Sequence, residues 1–461
     1  MQVTIPFGDT MIQAELPDDI RRLSNLPSKK LSPVTDLRQT VRDALDAPLE
    51  SPRIGDLVKS SSQVTIAFDD ATVGQFGPIR QIAIEEVVRD LEAAGVDRKN
   101  VNLICANALH RKQRPEELVL MLGEELVRDF GDRLFSHDAE DKDNLVYLGQ
   151  TENGYDVEIS RYVMESDLTV YVNASHNRGF AGGWKSICVG LSTYRSIRHH
   201  HHPDGMSMSI HKNRMHEVLD EMGAFLESKL PGSIFKIDSI PSSPMEIGRV
   251  FAGGVNECRS AALDVLKDLF PPRRTMSDEK FDVLIYGVSN VSPYSIFSSM
   301  NPILTLISSG LGYLGGTVEA LGKPGCSVIM VTPCPNQWDH ICHAPYPHAW
   351  DHVLPHSRDP YEIEREYSDY YLNHEELLEK YRNAFAFHPV HALLATHPLR
   401  RLKHIGQVYV ASIEDPATAE HIGFQPTATV EAALNTAREH HGNDAAIAYI
   451  EQPVVPTKLA M

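Results

Sequence analysis

The hydrophobic pattern changes period repeatedly along the chain. QVTIAFDD (63–70) is a short β-branched apolar run ending in two acids, the pattern of a buried strand. PIRQIAIEEVVRDLEAAGV (78–96) then shows near-3.6 spacing, with Pro78 at its start and Gly95 at its end, and predicts a helix. NVNLICANALH (100–110) and DLTVYVNASH (167–176) predict further strands, with a helix over 116–131 between them. Strands alternating with helices predict an α/β fold with mainly parallel sheets. Residues 1–60 are polar and punctuated by Pro6, Pro17, Pro27 and Pro33.

The Pro-rich, charged stretch PPRRTMSDEK (271–280) breaks the pattern and predicts a hinge. Two α/β domains are expected, residues 1–270 and 281–461, with the site in the cleft between them. In the second, FDVLIYGVS (281–289), SVIMVTPC (327–334), GQVYVAS (406–412) and AAIAYIEQP (445–453) predict strands. Residues 336–400 read as a His- and aromatic-rich insertion, helical over 361–385. TVEAALNTAREHHG (429–442) predicts an amphipathic final helix, a candidate to pack back on the first domain.

Hydrophobic residues make up 42% and charged residues 23%, an ordinary globular balance. The net charge of −19 argues against nucleic acid or anionic membranes as partners, because it repels phosphate. The most apolar stretch, NPILTLISSGLGYLGG (301–316), is too short and too rich in Ser and Gly to span a bilayer. The six cysteines are scattered without a CxxC pair, and MQVTIPFGDT lacks a basic region followed by an apolar run; both predict a cytoplasmic protein. Histidine is the departure: 22 residues, seven of them between 176 and 216.

Parallel α/β sheets bind ligands at the carboxyl ends of their strands. Asp69, Asp70, His110 and His176 all fall at such ends. His176 precedes a Gly-rich loop, NRGFAGGWKSI, in which glycines allow close backbone approach to a ligand and Lys185 stands near the next helix start. The bland alternative is a glycine turn with a solvated lysine, and the spacing is not that of a Walker motif. RHHHHPDG (198–205) offers imidazole donors suited to zinc, nickel or copper, or a solvated His run. LHRKQRPEE (109–117) places a histidine among cations, as a base for an anionic substrate or as a surface charge cluster. QWDHICHAPYPHAWDH (337–352) admits a second metal site, but a loop or an oligomer contact explains it equally.

Taken in order, these segments resemble the lactate racemase family, nickel-dependent enzymes that use a pincer nucleotide. The family's DDxTR strand end is matched by Asp69, Asp70, Ala71, Thr72 and Val73, and its GxHR-like segment by ALHR with His110. The family's second catalytic histidine is matched by His176, and its AGxSGGxKxI loop by FAGGWKSI, one residue shorter. Asn213, His216 and Glu217 match NxxHE, and Phe251, Ala252 and Gly253 match the FAG segment.

The resemblance implies a nickel-dependent racemase or epimerase of a 2-hydroxy acid, acting by reversible hydride transfer to the pincer nucleotide. It assigns His110 and His176 as the two catalytic bases and Lys185 as the cofactor's covalent anchor. It assigns the nickel to His201, sixteen residues beyond that lysine. Asp70, Ala71, Thr72, Val73, Gly182, Gly183 and Val189 would line the cofactor. Two family features are missing: Val73 replaces an arginine, and SPYSIFSSMNPILT (292–305) lacks the usual Gln and Lys, with Met300 or Asn301 in that place. The substrate is therefore expected to be a 2-hydroxy acid other than lactate, with Arg178 as a replacement anchor. The alternatives are a homologue without the pincer cofactor, acting on another metal or reaction, or a non-catalytic cofactor-binding protein. Homo-oligomerisation is left open.

Overall fold

A computed structural model describes residues 1–175, 180–205, 210, 213–272 and 276–452. The chain forms two compact units: Ser28–Phe270 with Tyr381–Phe385, called here the first unit, and Met1–Pro27 with Pro271–Lys380 and Ala386–Met461, the second.

The first unit is built on a six-stranded sheet. Its order is Ile247–Gly253, Ser233–Pro241, Leu168–Ala174, Val64–Asp69, Val101–Ala106 and Leu134–Ser136. All neighbours are parallel except the Ile247–Gly253 edge strand, which runs antiparallel to Ser233–Pro241. Val64–Asp69 and Leu168–Ala174 are buried at every position, which explains their unbroken apolar runs: helices cover both faces of such strands. Helix Ile79–Ala93 begins after Pro78 and stops where Gly95 turns into the left-handed region at φ 88°, its N–H donating to Glu92 O at 2.9 Å. The helix expected over 116–131 is two helices, Pro115–Leu122 and Glu124–Phe130, because Gly123 between them takes φ 80°.

The second unit carries an eight-stranded sheet. Gln425–Thr427, Ile405–Ala411, Gly322–Val331 and Phe281–Ser289 lie side by side in parallel. Phe281–Ser289 also pairs in parallel with Gln2–Gly8 through Phe7 and Gly8, and with Ile447–Glu451 through residues 283–285. Met1–Pro27 therefore group with the residues after 270, although the local pattern gave them no element. Strands Gln2–Gly8, Thr10–Glu15 and Arg21–Ser24 form there. The final helix, Val430–His441, packs Val430, Ala433, Leu434 and Ala437 onto this sheet, against Ile285, Ile329 and Tyr409. Its apolar face is thus filled within the second unit. The insertion is helical over Pro345–His352, Pro360–Leu372 and Glu375–Asn383. No helix among the described residues is long and apolar enough to cross a membrane.

Candidate functional site

The carboxyl ends of three adjacent strands of the first unit gather the predicted groups. Val64–Asp69 ends in two acids with different partners. Asp69 accepts from the Tyr171 hydroxyl at 3.1 Å and from Ala174 N at 2.9 Å, a brace across neighbouring strands. Burial pushes its carboxyl up, opposed by Lys236 and Arg80. Asp70 caps the short turn Ala71–Val73, accepting from Thr72 N at 3.1 Å and from the Thr72 hydroxyl. Buried Arg80 donates to the backbone oxygens of Asp69 and Asp70 at 2.8 and 2.9 Å and so holds the turn. Ala71 is buried and Val73 half-buried.

His110 lies past the end of Val101–Ala106, on a tight turn. Its N–H donates to Asn107 O at 2.7 Å, and Ala108 inside the turn takes φ 49°, unusual for a residue with a Cβ. The turn aims the ring at Asp70: His110 Nδ1 lies 2.8 Å from Asp70 Oδ2 and 3.3 Å from the Thr72 hydroxyl. Burial opposes ionisation of Asp70, but the His110 charge and the bonds from His110 and Thr72 outweigh it and lower its pKa. A carboxylate therefore faces an imidazole. It holds the tautomer with Nδ1 protonated and leaves Nε2, across the ring, as the basic nitrogen.

The cations beside His110 have internal employment. Arg111 is buried and makes a two-pronged pair with Glu117 at 2.8 and 2.7 Å, and Lys112 pairs with Asp138 at 2.6 Å. Arg111 is thus buried in an ion pair and does not belong to a surface charge cluster.

The Gly-rich loop resumes at Phe180. Gly182 and Gly183 take φ 91° and 58°. A Cβ on Gly182 would sit 2.2 Å from Ser175 Oγ and 3.1 Å from Asp238 Oδ2, so only glycine fits. Lys185 opens the short helix Lys185–Cys188 and is half-buried. Its ammonium stands 4.5 Å from the centre of the Phe180 ring. Desolvation lowers its pKa, the carboxylates of Asp69 and Asp70 work the other way, and Arg259 adds to the lowering. An amine so placed keeps more of its neutral, nucleophilic form near neutral pH than a solvated lysine. Val189 closes the turn, buried, its N–H on Lys185 O at 3.1 Å.

Within the four-His run the environments differ. His199 bonds Asp156 at 3.0 Å. His200 is fully buried, and desolvation with the nearby Lys185 charge lowers its pKa to about 3. His201 is half-buried, its ring 6.5 Å from Phe180 and its Nδ1 2.7 Å from His200 Nδ1. His216 reaches the same place from helix Arg214–Glu227, its Nε2 donating to Phe180 O at 3.0 Å. Phe180 thus sits among Lys185, His201 and His216. Asn213 caps that helix, its side chain accepting from His216 N at 3.4 Å. Among the described residues, no group of three or more His, Cys, Asp or Glu side chains is placed to hold a metal by itself.

His176 and Arg178 lie outside the described residues. Met300 and Asn301 belong to the second unit and are buried there. Asn301 Oδ1 accepts from Leu304 N at 3.0 Å at the start of the π-helical segment Ile303–Tyr313, and its amide nitrogen is 3.4 Å from His343.

Sequence reasoning missed an inner layer of charge. Lys236 and Asp238, two apart on strand Ser233–Pro241, are both fully buried. Lys236 donates to the hydroxyl of Ser186, next to Lys185, and lies 4.5 Å over the Tyr171 ring. Asp238 accepts from the Ser175 hydroxyl at 2.9 Å, and Arg259 donates to Ala181 O at 2.5 Å. Desolvation lowers Lys236 to about 8 and raises Asp238 to about 6, each opposed by the other's charge. The loop is therefore tied at residues 175, 181 and 186 to one charged layer. The available signal was two opposite charges at i and i+2 in SIFKIDSIP, on one face of an otherwise apolar strand.

The fold and this site define an α/β protein whose strand-end loops gather an imidazole–carboxylate pair, a desolvated lysine and a histidine cluster. Residues 7–214 match the model of the lactate racemase N-terminal domain. The chain is 25% identical over 279 residues to lactate racemase of Lactiplantibacillus plantarum, covering 58% of this chain and 63% of that one. It is 27% identical over 205 residues to lactate racemase of Thermoanaerobacterium thermosaccharolyticum, covering 43% and 46%. Both matches thus span less than two thirds of the relative's length. In fold, it resembles the lactate racemase apoprotein from Thermoanaerobacterium thermosaccharolyticum with TM-score 0.70 at 20% identity, covering 98% of each chain. A protein from Thermotoga maritima matches with TM-score 0.51 at 15% identity, over 93% of this chain and 98% of that one. The comparisons support a divergent relative of the lactate racemases, matched by the N-terminal domain model over residues 7–214 and by the fold over nearly the whole chain.

Proposed function

We propose that the protein is a nickel-dependent racemase or epimerase of a 2-hydroxy acid other than lactate. The observation that carries this reading is the Asp70–His110 pair, 2.8 Å apart, on the same strand-end edge as Lys185.

The residues present fit a covalently held nickel cofactor. Lys185 supplies an amine whose pKa desolvation lowers, and Gly182 and Gly183 let the loop before it pack closely on Ser175, Asp238 and Arg259. His201 would hold the nickel. For its Nε2 to face the metal, its Nδ1 must carry the proton and His200 Nδ1 must accept it, the kind of second partner that fixes a ligand's tautomer. The described side chains do not by themselves complete a metal site, so the remaining donors would come from the cofactor. Asp70, Ala71, Thr72 and Val73 form the turn that would face it, and Val189 closes the helix behind Lys185.

The bound cofactor supplies a hydride acceptor. The chain's own part is proton handling and placement. His110 takes the hydroxyl proton at Nε2 in one enantiomer's pose, with Asp70 orienting the ring and stabilising the imidazolium. His176 serves the opposite pose, since inversion needs a base for each face.

The substrate reading rests on Val73, Met300 and Asn301. A charge-assisted hydrogen bond to a carboxylate is worth about 1.5–3 kcal/mol. Two missing contacts would lower efficiency on lactate by roughly 10² to 10⁴, and a single methyl cannot recover that. Arg178 is the proposed replacement anchor, and a larger apolar side chain would add contact. The test is the cofactor-loaded protein assayed on lactate and on branched and aromatic 2-hydroxy acids. Turnover of the larger acids above lactate supports the reading. Lactate turnover equal to or above all others overturns the substrate assignment, and no turnover of any acid by fully loaded protein overturns the activity.

A further inference from the structure

The second unit holds a cavity of about 390 Å³ that the proposed reaction does not use. It lies at the amino ends of strands Ile405–Ala411 and Gln425–Thr427, where Ile405, Gly406, Gln407, Val408, Gly423 and Phe424 line it. Parallel sheets place their usual ligand sites at the opposite, carboxyl edge. Its floor is apolar: Leu399, Ile405, Val408 and Phe424 are buried side chains.

The rim carries Arg358, Arg400 and Lys403 against one acid, Asp359, in a chain of net charge −19. Each cation is held in place. Arg358 donates to Ile422 O at 3.0 Å and lies over Gly423, where a side chain would begin 1.5 Å from its Nη1. Lys403 stands 3.9 Å over the Tyr361 ring. Arg400 reaches Glu319 at 3.4 Å. For Arg358 and Lys403 the holding contacts are a carbonyl oxygen and an aromatic face, which leave their positive charge uncancelled. Asp359 is occupied as a helix cap, accepting from Tyr361 N at 3.0 Å. Positioned cations above an apolar floor match a ligand with a doubly charged head and an apolar body.

We propose that this cavity binds a small organic phosphate, with the phosphoryl group on Arg358, Lys403 and Arg400 and the organic group on Phe424, Leu399 and Val408. The probe is phenyl phosphate, titrated calorimetrically into the full-length protein beside inorganic phosphate, benzoate and phenol. Phenyl phosphate binds at least tenfold more tightly than each of the other three. Arg358→Gln and Lys403→Gln each weaken it about tenfold with unchanged thermal unfolding, and Arg358→Lys keeps most of the affinity. Phosphate binding as tightly as phenyl phosphate removes the role of the apolar floor, and benzoate doing so removes the phosphate preference. Either result overturns the proposal, as does an absence of binding at millimolar probe. Undiminished affinity in the folded double variant Arg358→Gln/Lys403→Gln places the probe elsewhere and overturns it too.

Discussion

His110 Nδ1 and Asp70 Oδ2 stand 2.8 Å apart across forty residues of sequence, brought together because their strands are neighbours in the same parallel sheet. The turn of Ala71–Val73 and the left-handed Ala108 aim the two side chains at one another. If the pair performs the proposed proton transfer, Asp70→Asn keeps the shape and loses the charge that favours the Nδ1-protonated tautomer. The expected outcome is a fall in kcat on the preferred 2-hydroxy acid of about 10² or more, since a positioned general base contributes 10²–10⁴. Racemisation rates on matched, fully loaded proteins check this. An unchanged kcat removes His110 from the chemistry.

The histidine run makes a second prediction. His201→Ala is expected to lose nickel, measured as metal per chain after desalting, while His199→Ala and His202→Ala keep it. His200→Ala retains the ligand but removes the acceptor for His201 Nδ1, so nickel affinity falls about 10- to 100-fold, the range for losing a ligand's second partner. Lys185→Ala abolishes the mass increment of covalent attachment. Metal lost from His202→Ala but kept by His201→Ala would show that the assigned register is wrong.

Gly182 offers a test that needs no cofactor. At φ 91° and with Ser175 Oγ 2.2 Å from the Cβ position, Gly182→Ala cannot be accommodated without moving the loop. A loss of about 1–3 kcal/mol in denaturant unfolding is expected, the range for strained backbone positions. Gly154→Ala, also at positive φ but with nothing within 4 Å of its Cβ position, separates backbone strain from the clash.

A buried neutral histidine makes the fold sensitive to acid. His137 donates from Nε2 to Ser192 O at 3.0 Å, and burial lowers its pKa from 6.5 to about 4. The unfolded chain protonates near pH 6.5 and the folded chain only near pH 4. The favourable contribution is thus complete above about pH 6.5 and is lost as pH falls towards 4. A gap of that size corresponds to about 3 kcal/mol at most. His137→Gln, which keeps a donor for Ser192 O, is expected to flatten the unfolding free energy between pH 6.5 and 4. An unaltered slope in that window counts against the assignment.

What the sequence by itself determined is local. Central strands buried on both faces read as unbroken apolar runs, so Val64–Asp69, Val101–Ala106 and Leu168–Ala174 and their polar carboxyl ends were visible, and with them Asp70, His110 and the loop to Lys185. Proline and glycine marked helix ends for the same local reason. The tertiary structure decided everything that depends on pairing between distant segments. Gln2–Gly8 joins a strand that begins at Phe281, a pairing that no period along the chain encodes. The final helix found its cover in its own unit's sheet. Lys236, Asp238 and Arg259 meet residues 175, 181 and 186 only because Ser233–Pro241 lies beside Leu168–Ala174 with helix Val255–Leu269 packed on it. Four identical imidazoles in a row carry no local difference. Burial of His200 and the half-exposure of His201 beside Phe180 came from the folded surroundings, because solvation and hydrogen bonding depend on neighbours in space.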